Sequence, residues 1–190
     1  MVELLVDDIM SKVSDHRAHV LMLKEKGGWR RIIVALGLLE AQAIAFAMRE
    51  VKTERPLTHD LFGVFMDEFG ITMEYVLIND ICDGTFLARL HCVQNDEARD
   101  VDARTSDAVA LALRAGVPIY IEEELLNRMC VRSENNGAIS IPITAADEGT
   151  LRAAMENAVK EENYELAMKL KEEIDSRHSA LPEHDNTETK

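Results

Sequence analysis

Positive charge is what this sequence has least of: 21 Lys and Arg stand against 35 Asp and Glu, for a formal net charge of −14. Residues 1–130 carry 14 basic and 22 acidic side chains, and residues 131–190 carry 7 and 13, so neither part is a basic arm. A chain of this charge repels phosphate on average, which excludes nucleic-acid binding by bulk field. Any chemistry on a phosphodiester must rest on a local site. Aromatics are also few, at 5%, so the core is expected to be aliphatic, with Met and Ala filling in. Cys82, Cys92 and Cys130 form no close pair and no metal-ligand spacing. They read as core thiols in a reducing compartment and exclude a zinc site. No apolar run approaches the length that spans a bilayer. The first residues, Met1 to Asp8, are acidic and lack a signal peptide's basic start, so the expected location is cytoplasmic, with no membrane partner.

The apolar pattern that is present switches period several times. Residues 3–10, 18–23 and 31–36 read as three strands with short turns, an antiparallel meander. A helix follows from about Leu39 to Val51, with Ala41, Ile44, Ala45 and Met48 on one face. Pro56 interrupts it and is tolerable in the first turn of the next helix. There Leu57, Leu61, Phe65 and Phe69 recur every fourth residue, with Phe62 and Met66 beside them. This stripe is expected to be core, and Gly70 to stop the helix. Residues 72–79, 85–93 and 97–102 form a second meander, turned at Asp83-Gly84 and Asn95-Asp96. Ala108, Leu111, Ala112 and Ala115 mark a helix that Val109 and Leu113 make apolar nearly all round, so it should be central. A short strand at Ile119–Ile121 and a short helix at Glu122–Arg128 complete an α+β domain of sheet meanders and about three helices, residues 1–130. Residues 131–149 read as a linker with a possible edge strand. Residues 150–175 read as a helical hairpin with Asn163 capping its second helix. Residues 176–190 read as a disordered tail.

Two short stretches concentrate chemistry. Arg55-Pro56-Leu57-Thr58-His59-Asp60-Leu61 sets a guanidinium, a hydroxyl, an imidazole and a carboxylate beside a proline. Asp102-Ala103-Arg104-Thr105-Ser106-Asp107-Ala108 repeats charge and hydroxyl before an apolar run. Both read as loop-to-helix junctions, and if they meet in space they build one polar pocket.

Four blocks in order resemble the bifunctional nuclease family of bacteria and plants: residues 40–45, 55–61, 83–90 and 102–114. The resemblance covers about residues 3–130, with Thr105 standing where the family usually has proline. It implies an α+β domain that self-associates and nuclease activity on DNA and RNA. The hairpin, from Leu151 to Ile174, is similar to the UVR motif of excision-repair subunits B and C, which implies docking to a partner protein through Leu151, Met155, Ala158, Tyr164, Ala167, Leu170 and Ile174.

Residue chemistry gives the pocket a working assignment. Asp60, Asp102 and Asp107 are candidate ligands for Mg²⁺ or Mn²⁺, hard cations that prefer oxygen. His59 is a candidate general base or acid, with Asp60, Asp102 and Asp107 beside it as catalytic carboxylates. Arg55 and Arg104 are candidate phosphate clamps, with Thr58 and Ser106 bonding the same oxygens. Helix capping and internal ion pairing account for the same residues without catalysis, and Glu40 reads as solvated or capping. The expected function is a metal-assisted, sequence-nonspecific nuclease that is a homo-oligomer, takes nucleic acid as substrate and docks a UVR-type partner. The competing expectation is a non-catalytic oligomeric adaptor working through the hairpin. A small-ligand or anion-binding domain is the third.

Overall fold

The computed structural model describes residues 1–11, 19–133, 139–140, 148–160 and 163–180. It divides into two units, Met1–Pro142 and Ile143–Lys190.

The first unit holds both expected meanders. Strands β1 (Val2–Ser11), β2 (His19–Glu25) and β3 (Arg31–Leu36) pair antiparallel in sequence order. Strands β4 (Thr72–Cys82), β5 (Thr85–Gln94) and β6 (Glu97–Arg104) do the same. Asp83 and Gly84, and again Asn95 and Asp96, take positive φ, the conformation that tight hairpins require. What joins the two meanders is β7 (Ile119–Ile121), three residues that pair antiparallel with β1 and parallel with β4. The result is one seven-stranded sheet in the order β3-β2-β1-β7-β4-β5-β6. Both outer residues of β7 are buried, Ile119 at 4% and Ile121 at 0% exposure. So short a segment is stabilised by two neighbours and by packing, with little help from its own pattern.

Three helices carry the site. They are α1 (Leu38–Met48), α2 (Thr58–Glu68) and α3 (Thr105–Ala115). Helix α3 packs on β3 to β6, and both α1 and α2 rest against it. As its all-round apolar pattern demands, Ala108, Val109, Ala110 and Ala112 are fully buried. Thr105, the residue in place of proline, is buried too, and its hydroxyl donates to the Phe86 carbonyl at 2.8 Å, tying the helix start to β5. Gly116 closes α3 at φ 67, and Gly70 follows α2 at φ 64, left-handed positions that suit glycine. Helix α4 (Glu123–Met129) buries Leu125, Leu126 and Met129, and beyond it Val131 bridges Arg31. Strands β8 (Arg132–Ser133) and β9 (Ile139–Ser140) form a small separate pair within the expected linker.

Several packing expectations are overturned. The stripe on α2 is not core: Leu57, Leu61, Phe62, Phe65 and Phe69 are 42–58% exposed, and the helix buries Met66 alone. The apolar period is real, but α3 covers only one narrow side of α2. On α1, Ala41 and Ile44 are buried while Met48 ends the helix exposed. Of the thiols Cys92 alone is core; Cys82 sits exposed at a hairpin turn and Cys130 is half-buried.

The second unit is a helical hairpin, α5 (Glu148–Lys160) and α6 (Tyr164–Ala180). Asn163 caps α6 as expected, its side-chain oxygen accepting the Leu166 N–H at 3.2 Å. Helix α6 runs through residues 176–180, which therefore do not belong to a disordered tail; residues 181–190 lie outside the described residues. Among the described residues no helix is long and apolar enough to cross a membrane.

Candidate functional site

The two polar motifs meet. One opens α2; the other ends β6 and opens α3. Helix α3 is the common support, and each motif sends a carboxylate or a ring toward it. His59 Nε2 lies 3.2 Å from Asp107 Oδ1. Arg104 grips the same Asp107 with two donors, Nε to Oδ2 at 2.7 Å and Nη2 to Oδ1 at 3.1 Å. Its Nη1 also reaches Glu40 of α1 at 3.2 Å. Glu40 is thus an ion-pair partner that brings α1 into the network, where solvation or capping was expected.

A second cluster begins at the next residue of α2. Asp60 Oδ1 accepts from Arg114 Nε at 2.5 Å, and Asp60 Oδ2 accepts the Leu57 N–H at 3.0 Å. Arg114 Nη1 donates to the carbonyls of Ala43 at 3.2 Å and Ala110 at 2.9 Å. One guanidinium therefore fastens α1, α2 and α3 together. Arg114 was missed as a site residue, although it lies seven positions after Asp107 and so on the same face of α3.

Electrostatics follow from these contacts. Arg114 beside Asp60 holds that carboxyl below the ordinary carboxylate range, outweighing partial burial, with the Leu57 N–H adding to the effect. At Asp107 burial pushes upward, but Arg104 and His59 together overcome it and hold the group low. Both aspartates are therefore ionised at neutral pH. Asp107 Oδ1 can accept a hydrogen bond from His59 Nε2, and the tautomer that donates there has Nδ1 as its acceptor.

Beside this network opens a cavity of about 1140 Å³, lined among others by Leu39, Leu57, Thr58, His59, Asp102, Arg104 and Asp107. Its lining also includes the apolar Phe46, Phe62, Val101 and Leu111. Of the sequence candidates, Thr58, His59, Asp102, Arg104 and Asp107 face this space. Asp60 lines a second hollow of about 750 Å³ on the other side of α2, which His59 and Arg114 share. Arg55 and Ser106 line neither. Arg55 is exposed in the loop before α2, where its carbonyl accepts the Thr53 hydroxyl at 2.6 Å.

The three aspartates do not assemble as one ligand set. Asp60 and Asp107 are each closed by an arginine, and among the described residues no group of three or more His, Cys, Asp or Glu is placed to hold a metal ion. Asp102, which faces the cavity from β6, enters neither ion-pair cluster.

The sequence model of the bifunctional nuclease domain matches residues 21–134, which span the whole of this network. The chain belongs to that family. An uncharacterised protein of Mycobacterium tuberculosis is 39% identical over 157 residues, covering 83% of this chain and 84% of that one. Bifunctional nuclease 1 of Arabidopsis thaliana is 24% identical over 181 residues, covering 84% of this chain and 55% of the plant protein. Bifunctional nuclease 2 of the same plant is 26% identical over 135 residues, with coverages of 70% and 41%. The UvrB/uvrC motif matches residues 149–176, the hairpin of the second unit.

In that hairpin, five of the seven expected docking residues are spent internally. Leu151, Ala158, Ala167, Leu170 and Ile174 form its own buried core, with Met155 packed against them. Tyr164 is 66% exposed, and Val159, Leu166 and Met168 are exposed with it.

Proposed function

We propose that this bifunctional nuclease family member hydrolyses phosphodiester bonds in DNA and RNA, without sequence preference, at the cavity edge where His59, Asp107 and Arg104 converge. The observation that carries the reading is the His59–Asp107 contact of 3.2 Å beside an open cavity. Asp107 holds the ring, and Nδ1 takes a proton from the attacking water as its oxygen bonds to phosphorus. The leaving oxygen departs from the opposite side. Arg104 uses three of its five N–H donors on Asp107 and Glu40, leaving two for the phosphoryl oxygens, where charge grows. Thr58, on the cavity wall, adds a hydroxyl donor.

Bound Mg²⁺ or Mn²⁺ would neutralise phosphate charge and acidify a water. Asp102 is the carboxylate of the three suited to meet it, because it stands outside the arginine pairs and Mg²⁺ commonly takes one or two carboxylates together with substrate phosphates. Local chemistry of this kind is compatible with an acidic chain, since the site does not depend on the overall field.

The test uses the purified full chain on single-stranded and duplex DNA and RNA, with Mg²⁺ or Mn²⁺ and with chelator. His59→Ala and Asp107→Asn are each expected to slow cleavage about 10²- to 10⁴-fold, the usual worth of a positioned general base. Equal cleavage by wild type and both variants removes the proposal.

A second reading, the adaptor, draws on the hairpin. It is a unit of its own, and Val159, Tyr164, Leu166 and Met168 stand exposed on it. Such a surface suits helix-in-groove docking to another protein. Comparing proteins captured by the full chain and by the chain ending at Gly149 tests it; identical sets remove this reading.

A further inference from the structure

The proposed reaction occupies one edge of the 1140 Å³ cavity and leaves the rest of it unused. Most of that remainder is apolar, and it includes two phenylalanines, Phe46 of α1 and Phe62 of α2. Phe62 comes three residues after His59 and four after Thr58, so all three share one face of α2. Its ring is 43% exposed. Among the described residues it stacks on no other ring.

We propose that this part of the cavity holds an unpaired nucleobase stacked on Phe62, so that the site binds single-stranded nucleic acid in preference to duplex; this rests on the nuclease reading and adds to it the form of polymer bound. Three observations select a base. The first is size and lining. The cavity is far larger than a phosphate group, and Leu39, Phe46, Phe62 and Val101 give it apolar sides. The flat, weakly polar part of a nucleotide is its base, whose face stacks on an aromatic ring. In a duplex that face is covered by neighbouring bases, and only sugars and phosphates meet the site unless the base is unstacked.

The second is reach. Side chains three or four residues apart on a helix have Cβ atoms roughly 5–6 Å apart. That is the span of one sugar, so a phosphate at His59 and Arg104 sets its own base beside Phe62. The third is charge. Duplex binding relies on many Lys and Arg contacts to phosphate. Among the described residues that line the cavity, Arg104 and Arg114 are the only Lys or Arg, and each already pairs with an aspartate, Asp107 and Asp60. A net charge of −14 also repels a duplex, with one charge per about 1.7 Å of axis, more strongly than a single strand. Stacking supplies affinity that charge does not. It accepts every base, which agrees with cleavage free of sequence preference.

Fluorescence anisotropy of the full chain, with chelator and at about 50 mM salt, measures binding apart from cleavage. The probes are labelled oligo-dT of about 12 nucleotides, the same strand annealed to oligo-dA, and a strand of equal length whose sugars carry no bases. Oligo-dT is expected to bind about tenfold or more tightly than the other two, as one stacked base allows. Phe62→Leu keeps an apolar side chain and removes the ring; it should lose most of that advantage. Phe62→Trp should retain it, and both variants should keep the wild-type circular dichroism spectrum. A duplex or baseless strand bound as tightly as oligo-dT overturns the proposal, as does Phe62→Leu with undiminished preference, or no binding of oligo-dT at all. A chain that cleaves both forms and binds them equally keeps the nuclease reading and sinks this one. A chain that holds oligo-dT through Phe62 yet cuts nothing when Mn²⁺ is added does the reverse.

Discussion

Helices α2 and α3 are each eleven residues long, each opens on a polar motif, and each is rich in apolar side chains. Their fates differ completely. Helix α3 buries six residues, including three alanines at 0% exposure, and lies between the sheet and the other two helices. Helix α2 buries one residue and exposes four large apolar side chains, Leu61, Phe62, Val64 and Phe65. The difference lies in side-chain size. Alanines at positions 108, 110 and 112 let α3 sit close to the strands, where a helix of phenylalanines would not fit at native packing density. The bulky α2 is displaced outward, held to α3 by the Asp60–Arg114 ion pair and the His59–Asp107 contact. The polar site is therefore the seam between a fully packed helix and a nearly unpacked one.

The comparison breaks most readily at α3. Ala110→Leu puts three more carbons where there is no space and is expected to cost about 3 kcal/mol, at the upper end for overpacking. Urea unfolding of the full chain would measure it; a loss under 1 kcal/mol would mean that α3 is not tightly enclosed. Next comes the seam itself. Arg114→Met removes the donor that joins Asp60 to the Ala43 and Ala110 carbonyls, and about 2 kcal/mol is expected, the range for charged hydrogen bonds. This variant also changes the acid limb of stability. Asp60 and Asp107 are held below their ordinary pKa of 3.8. They thus add stability that is full above that value and is lost as pH falls through the lower folded-state pKa. Arg114→Met should shrink the part due to Asp60, giving a shallower decline below about pH 4. A decline of unchanged steepness would show that Asp60 draws its ionisation from elsewhere.

Much of this arrangement is legible in the sequence. Period-two alternation and the Asp83-Gly84 turn specify β4 and β5, because pleat and positive φ are local demands. The all-round apolar pattern of α3 specifies its burial for the same reason. That the two motifs meet was an inference from like composition, and the 3.2 Å contact between His59 and Asp107 satisfies it. Other features were not local. Strand β7 takes its place from two partners distant in sequence, Val2–Leu4 and Val76–Ile78. Whether the stripe on α2 faces protein or water depends on the area α3 can cover, which a periodic pattern does not encode. The carboxylates looked like a ligand set because sequence shows acids and hides their partners. Arg114, far from Asp60 along the chain, already neutralises one of them.

The smallest effect is the most discriminating for the comparison. Leu61→Gln, on the exposed arc of α2, keeps a good helix former in place and removes an apolar group that is 56% exposed. In dilute solution, where each copy is alone, the change in unfolding free energy is expected to stay within about 0.5 kcal/mol, as for ordinary surface substitutions. At high concentration the wild type should gain stability by mass action if a second copy covers the face, and Leu61→Gln should gain less. The pair of measurements separates two meanings of an apolar helix. If Leu61→Gln is costly even at dilution, the outer side of α2 contributes to the stability of the single chain. If the cost grows only with concentration, the apolar stripe serves association, and α3 alone among the two helices answers for the fold.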